Sequence, residues 1–157
     1  MINKNQVFLR NSINQLSLEE IKRFQLFPRI PTIADFQILA EQSLHTLPEL
    51  FRDQLKGVAV IVEESPTIET LQGLGLTSPF QLMGLYHGIP IPKQHHGMLW
   101  SDHPRIFLYY LPIIRYWQQE KPFHSLAQII HHVLIHEIGH HFGYSDADMD
   151  KIDQEIS

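Results

Sequence analysis

The pattern of helix and strand signals predicts a single mixed α and β domain built around one buried helix. Three observations carry that prediction. A chain of 157 residues with 43% hydrophobic and 18% charged residues suits one globular domain with a real core. A short, apolar, β-branched run at Val58-Ala59-Val60-Ile61-Val62 reads as a strand, while capped segments with helical periodicity stand on either side of it. Near the C-terminus, Ser125-Leu126-Ala127-Gln128 is a capping box, and the helix it opens is apolar on two sides: Leu126, Ile129, Ile130 and Val133 on one, Ile135, Ile138 and Phe142 on the other. Such a helix must be covered all round.

The other elements follow in order. Ser17-Leu18-Glu19-Glu20 is a capping box for a short helix to about Leu26, ended by Pro28 and Pro31. Thr32 to His45 reads as an amphipathic helix with Ile33, Phe36, Ile38, Leu39 and Leu44 as its apolar surface. Pro48 opens another helical turn through Leu55. The segment from Glu64 to Pro104 is rich in Gly and Pro and too long for a simple connection, which marks it as a functional or mobile loop. Within it, residues 82–90 read as a short strand and turn. Arg105 to Leu111 is a second strand candidate, and Pro112 to Gln119 starts a helix. The acidic tail from Ser145 to Ile156 is expected to be helical. Residues 1–30 read as a partly helical N-terminal extension and 31–157 as the domain proper.

Charge and composition exclude several classes. A formal net charge of -5 and the lack of a dense Lys/Arg patch argue against nucleic-acid binding. The absence of cysteine excludes disulfides, thiolate metal sites and a cysteine nucleophile. Residues 1–14 contain no uninterrupted apolar stretch of a secretory signal, and no window approaches the ~20 apolar residues of a membrane span. A cytoplasmic protein is the default expectation; the oligomeric state is left open.

Histidine is frequent, with 11 in the chain, including the pairs His95-His96 and His131-His132. The informative ones lie in His136-Glu137-Ile138-Gly139-His140-His141-Phe142-Gly143-Tyr144-Ser145-Asp146, the pattern H-E-x-x-H-x-x-G-x-x-D. His136 and His140, four apart, share one helix face and can hold one ion together. Glu137 stands where the carboxylate of such sites reaches water at the metal. Gly143 can adopt φ > 0 and turn the chain after the helix, so that Asp146 returns as a third, oxygen ligand. Three protein ligands with a fourth position open describe a catalytic zinc rather than a structural one. His141 projects about 140° from His136, so it does not join the same ion on an intact helix. His132 is read as a structural or supporting residue, and His131 points to another side.

Together these residues resemble the small, single-domain zincin-like metallopeptidases of bacteria, which carry H-E-x-G-H-H-x-G-x-x-D. The likeness spans about Phe36 to Asp148. It includes Leu39-Ala40-Glu41-Gln42-Ser43-Leu44, the strand Val58 to Glu63, the run Gly84-Leu85-Tyr86-His87-Gly88-Ile89-Pro90, and Pro104-Arg105-Ile106-Phe107-Leu108-Tyr109. Met83 precedes Gly84 where the family commonly has Leu. The resemblance implies an α+β zincin-like fold, with a small mixed β-sheet packed against the buried active-site helix. It implies one Zn2+ per chain held by His136, His140 and Asp146, with Glu137 as general acid/base. Asp in place of the usual third His, and no separate Met-turn around Met149, set the chain apart from the metzincins proper.

The function expected on these grounds is peptide-bond hydrolysis by metal-activated water, with a peptide or protein as substrate. The alternative class is a catalytically silent metal-binding scaffold or interaction module on the same fold. Tyr144, Tyr86 and His87 are candidates for a second oxyanion or substrate contact. With eleven residues after Asp146, a peptide groove is expected from the Glu64–Pro104 loop, the edge of the strand near Arg105–Leu111, or a partner.

Overall fold

A computed structural model describes residues 30–94, 103–120 and 123–156, the last five by their backbone alone. The N-terminal extension up to residue 29, with its capping box at Ser17, and the pair His95-His96 lie outside the described residues. The elements are α1 (Ile33–His45), α2 (Glu49–Gln54), β1 (Ala59–Glu63), α3 (Ile68–Gly73), β2 (Gly84–His87), β3 (Arg105–Tyr109), α4 (Tyr110–Glu120), α5 (Leu126–His141) and α6 (Asp146–Ile156). This is a mixed α+β fold.

Local chemistry accounts for the boundaries. Thr32 caps α1 with a reciprocal bond to Asp35, and Ser125 caps α5 with the same bond to Gln128; each cap contributes about 1 kcal/mol. Residues 64–94 of the Glu64–Pro104 segment are less irregular than their Gly and Pro content suggests. They hold α3, started by the Thr67 hydroxyl accepting the Thr70 N–H, and short 3-10 turns at Pro79–Gln81 and Ile91–Lys93. A helix of six residues is too short to show a 3.6 period, so only its cap could have revealed it. Helix α4 begins at Tyr110, directly after β3. Pro112 falls within its first turn, where a missing N–H costs nothing.

The sheet has the order β1-β3-β2. β1 runs parallel to β3, with Ala59 opposite Arg105 and Glu63 opposite Tyr109; β2 runs antiparallel, with Gly84 opposite Leu108 and His87 opposite Arg105. β3 is therefore the central strand, paired on both sides. The expectation that its edge receives a peptide fails for that reason; β2 is the edge strand beside the motif helix. Burial follows the topology, since Ile106 and Leu108 of β3 are fully buried while β1 is only half-buried.

One face of the sheet packs on α5 and α1 through Phe36, Ile106, Leu108, Ile113, Leu126, Ile129, Ile130 and Leu134, all under 2% exposed. Leu71, Leu82 and Tyr109, with Leu76, Leu85 and Phe107, form a smaller cluster on the other side. Among the described residues no helix is long and apolar enough to cross a membrane.

His131 and His132 are placed differently. His131 Nδ1 meets the Ser43 hydroxyl of α1. His132 is 1% exposed, and among the described residues neither ring nitrogen has a hydrogen-bond partner. Burial, then the nearby His131 and His124, push its pKa down to about 3. Below about pH 6.5 the unfolded chain takes up a proton there that the folded chain refuses, so stability falls as the pH drops from about 6.5 toward 3. Replacing His132 by Leu removes this penalty and the unsatisfied nitrogens. Urea denaturation of His132→Leu and the parent should show a stability gain roughly 2 kcal/mol larger at pH 5 than at pH 8. A gain equal at both pH values would contradict the burial of a neutral imidazole.

Candidate metal centre

Helix α5 ends in a full Schellman turn. The Tyr144 N–H bonds to the Gly139 carbonyl at 3.0 Å and the Gly143 N–H to the His140 carbonyl at 3.0 Å. Gly143 has φ +94°, which a side chain would strain, and a Cβ there would lie 2.7 Å from Pro92 Cγ. The reversal brings Ser145 to the start of α6, where Ser145 and Asp148 cap each other: the Ser145 N–H donates to Asp148 Oδ2 at 2.9 Å and the Asp148 N–H to Ser145 Oγ at 3.1 Å. Asp146 is the first residue of α6 and so inherits a fixed position. Met149, 5% exposed, locks α6 onto α5 by filling the notch left by Gly139, where a Cβ would lie 2.6 Å from its sulfur.

These devices gather His136, His140 and Asp146, whose ligand atoms all lie within 4.8 Å of one another. Asp146 Oδ1 is 3.0 Å from His136 Nε2 and 3.1 Å from His140 Nε2. Two ligand atoms on a tetrahedral zinc with bonds of 2.0–2.1 Å are about 3.3 Å apart, so both separations from Asp146 match such an ion. The His140 Nδ1–H donates to the Tyr144 carbonyl at 3.0 Å. This fixes the tautomer and leaves Nε2 with the lone pair a metal needs. Burial, followed by neighbouring His140, pushes the pKa of His136 down, which keeps it in the neutral, ligating form.

Glu137 is 7% exposed and faces β2. Its Oε2 accepts the backbone N–H of Tyr86 at 2.8 Å. Gly84 makes the approach possible: a Cβ there would stand 2.6 Å from Val133 Cγ1 and 3.2 Å from Glu137 Oε1. Burial pushes the Glu137 pKa up to about 8, against the lowering effect of the Tyr86 N–H and with a further rise from Asp146. A bound dication at the three ligands would act in the opposite direction.

The remaining sequence candidates separate. The Tyr86 hydroxyl donates to His141 Nδ1 at 2.8 Å, and His141 Nε2–H in turn donates to the Gln54 carbonyl at 3.2 Å. His141 is thus a buried strut between β2, α5 and the end of α2, facing away from the three ligands. His87 is exposed and does not line the cleft beside the ligands; Tyr86 and Tyr144 do. That cleft has a volume of about 510 Å³ and is walled by β2, the Pro90–Lys93 segment and the Gly143–Asp146 turn.

A family model described as zincin-like metallopeptidase matches residues 55–156 of the 157. The chain belongs to the zincin-like metallopeptidase family. No curated protein matches it. As a zincin-like metallopeptidase it is expected to hold zinc, and the His136, His140 and Asp146 group is the set of residues among those described that could do so.

Several supporting residues escape a motif-based reading. Gly84 and Gly139 matter for the side chain they lack, and Tyr144 for its carbonyl. A glycine inside an apolar strand, and another inside a buried helix, are the signals that point to close approach. The Gly84→Ala substitution should lower stability by about 1–3 kcal/mol, because the new methyl meets Val133. Gly73→Ala, at the end of α3 with no atom within 4 Å, should instead gain up to ~1 kcal/mol. Urea denaturation checks both, and equal effects would refute the close contact at Gly84.

Proposed function

We propose that this protein hydrolyses peptide bonds, with zinc held by His136, His140 and Asp146 and with Glu137 moving the proton. The observation that carries the reading is the placement of Glu137: a carboxylate buried in the cleft wall next to the three ligands, with one oxygen anchored by the Tyr86 N–H. A site that merely held a metal would gain nothing from a carboxylate buried beside the three ligands and anchored so as to leave one oxygen unengaged.

Zinc bound there supplies a Lewis acid for the substrate carbonyl and lowers the pKa of water to about 7. Glu137 takes a proton from the attacking water as its oxygen bonds to the carbonyl carbon. It then gives that proton to the leaving nitrogen as the C–N bond breaks. Anchoring Oε2 on Tyr86 leaves Oε1 for this exchange, and the missing side chain of Gly84 keeps its space open. Of the three candidates for a second oxyanion contact, Tyr144 lines the cleft and is about half exposed. The Tyr86 hydroxyl is already engaged with His141, and His87 lies outside the cleft wall. Tyr144 is therefore the favoured donor to the carbonyl oxygen.

Glu137→Gln tests this reading with one variant. The zinc-loaded variant should keep its metal, measured by mass spectrometry, and lose about 10²–10⁴-fold in hydrolysis of a peptide library. Without metal it should be more stable than the parent. The folded parent holds a proton up to pH 8 that the unfolded chain loses near 4.5, so its stability declines across that window. The gain in Tm should be small at pH 4.5 and at least ~5 °C at pH 8. Undiminished hydrolysis by the variant would end the proposal.

A further inference from the structure

We propose that the cleft selects substrates bearing a carboxylate, and that Lys93 is the residue that reads it; this rests on the peptidase reading above. Lys93 is the one Lys or Arg among the residues lining the cleft; it is exposed, and it forms no ion pair among the described residues. Its position is built. The 3-10 turn Ile91–Lys93 is closed by the Lys93 N–H bonding to the Pro90 carbonyl at 2.9 Å, and the Gln94 side-chain amide bonds to the Ile89 carbonyl at 2.9 Å. Pro92, next in chain to Lys93, sits over Gly143 at the turn that carries the chain from His140 to Asp146. Lys93 thus belongs to the part of the cleft wall that is coupled to this turn.

The opposite wall is different in character. Gly84 of β2 contacts α5 at Val133 and Glu137, and Leu74, Leu82 and Leu85 line the cleft on that side. The β2 wall meets α5 along Val133, Glu137 and His141, and the Lys93 turn meets the chain just beyond the helix, at Gly143. A peptide lying across the ligands therefore meets an apolar surface on one side of the scissile bond and a cation on the other. The molecule carries a net charge of -5, so a lysine at the cleft is a local exception that would draw an anionic group to it. The carboxylate has two possible sources, an Asp or Glu side chain and a free C-terminus. Both present the same acceptor to an ammonium.

The test uses the zinc-loaded protein and matched fluorogenic peptides. Each has Leu on one side of the scissile bond; on the other side they carry Glu or Gln, in each case with a free-acid or an amidated C-terminus. The parent should cleave the carboxylate-bearing peptides with kcat/KM about tenfold or more above the neutral ones. Lys93→Glu should abolish that ratio and favour peptides in which Lys replaces Glu. Preference for Glu over Gln regardless of amidation assigns a side-chain carboxylate, and preference for the free acid assigns the C-terminus. Cleavage with the same ratio in parent and variant overturns the role of Lys93 while leaving the peptidase reading intact. If no peptide is cut, equilibrium binding of the same panel to the zinc-loaded parent is measured by fluorescence anisotropy. A carboxylate preference lost in Lys93→Glu then supports the cleft assignment without the reaction, and indifferent binding refutes it.

Discussion

The hydrogen bond from the Tyr86 N–H to Glu137 spans the junction between the edge strand and the motif helix, and the rest of the centre is arranged around it. A buried carboxylate requires a donor, and a strand can bring its backbone to a helix only where no side chain intervenes. Gly84 meets that condition, so Val133 and Glu137 lie directly under the strand. The same junction is tied a second time by the Tyr86 hydroxyl on His141. One residue thus fixes Glu137 through its backbone and the strand through its side chain. The adjacent histidines divide their work: His140 faces Asp146, and His141 faces the interior.

The second constraint is the reversal at Gly143. A ligand from beyond the helix must return within a few residues, and the Schellman turn does this with two backbone hydrogen bonds and a positive φ. Pro92 against Gly143 couples the reversal to the far wall of the cleft. Met149 in the Gly139 notch couples it to the helix beneath. His136, His140 and Asp146 are held together by packing from both sides, which would lower the reorganisation that binding a metal requires. Without a metal, the buried Glu137 works against stability at neutral pH, a pattern expected where function sets the residue.

Much of this was legible in the sequence. The helix from Ser125, its end at Gly143 and the short acidic helix after it follow from caps and a glycine, because those signals are local. The proximity of His136, His140 and Asp146 is equally local, since they are spaced by one helix turn and one reversal. The central position of β3 was not legible, since strand order depends on pairings distant in the chain. Nor was α3, whose six residues offer only Thr67 as a sign. The weight carried by Gly84 and Gly139 was hidden because it lies in what their neighbours, Val133 and Met149, occupy. Tyr144 entered the reading for its ring, whereas its carbonyl orients His140, a role that any residue at that position could fill.

The central claim is an open zinc site made by two imidazoles and one carboxylate. X-ray absorption spectroscopy of the zinc-loaded protein tests it most directly. The account predicts four nitrogen or oxygen ligands at about 2.0–2.1 Å, with multiple scattering from two imidazoles and one ligand exchangeable for an added hydroxamate or azide. Three or more imidazoles, or a closed site that no small ligand enters, would contradict it.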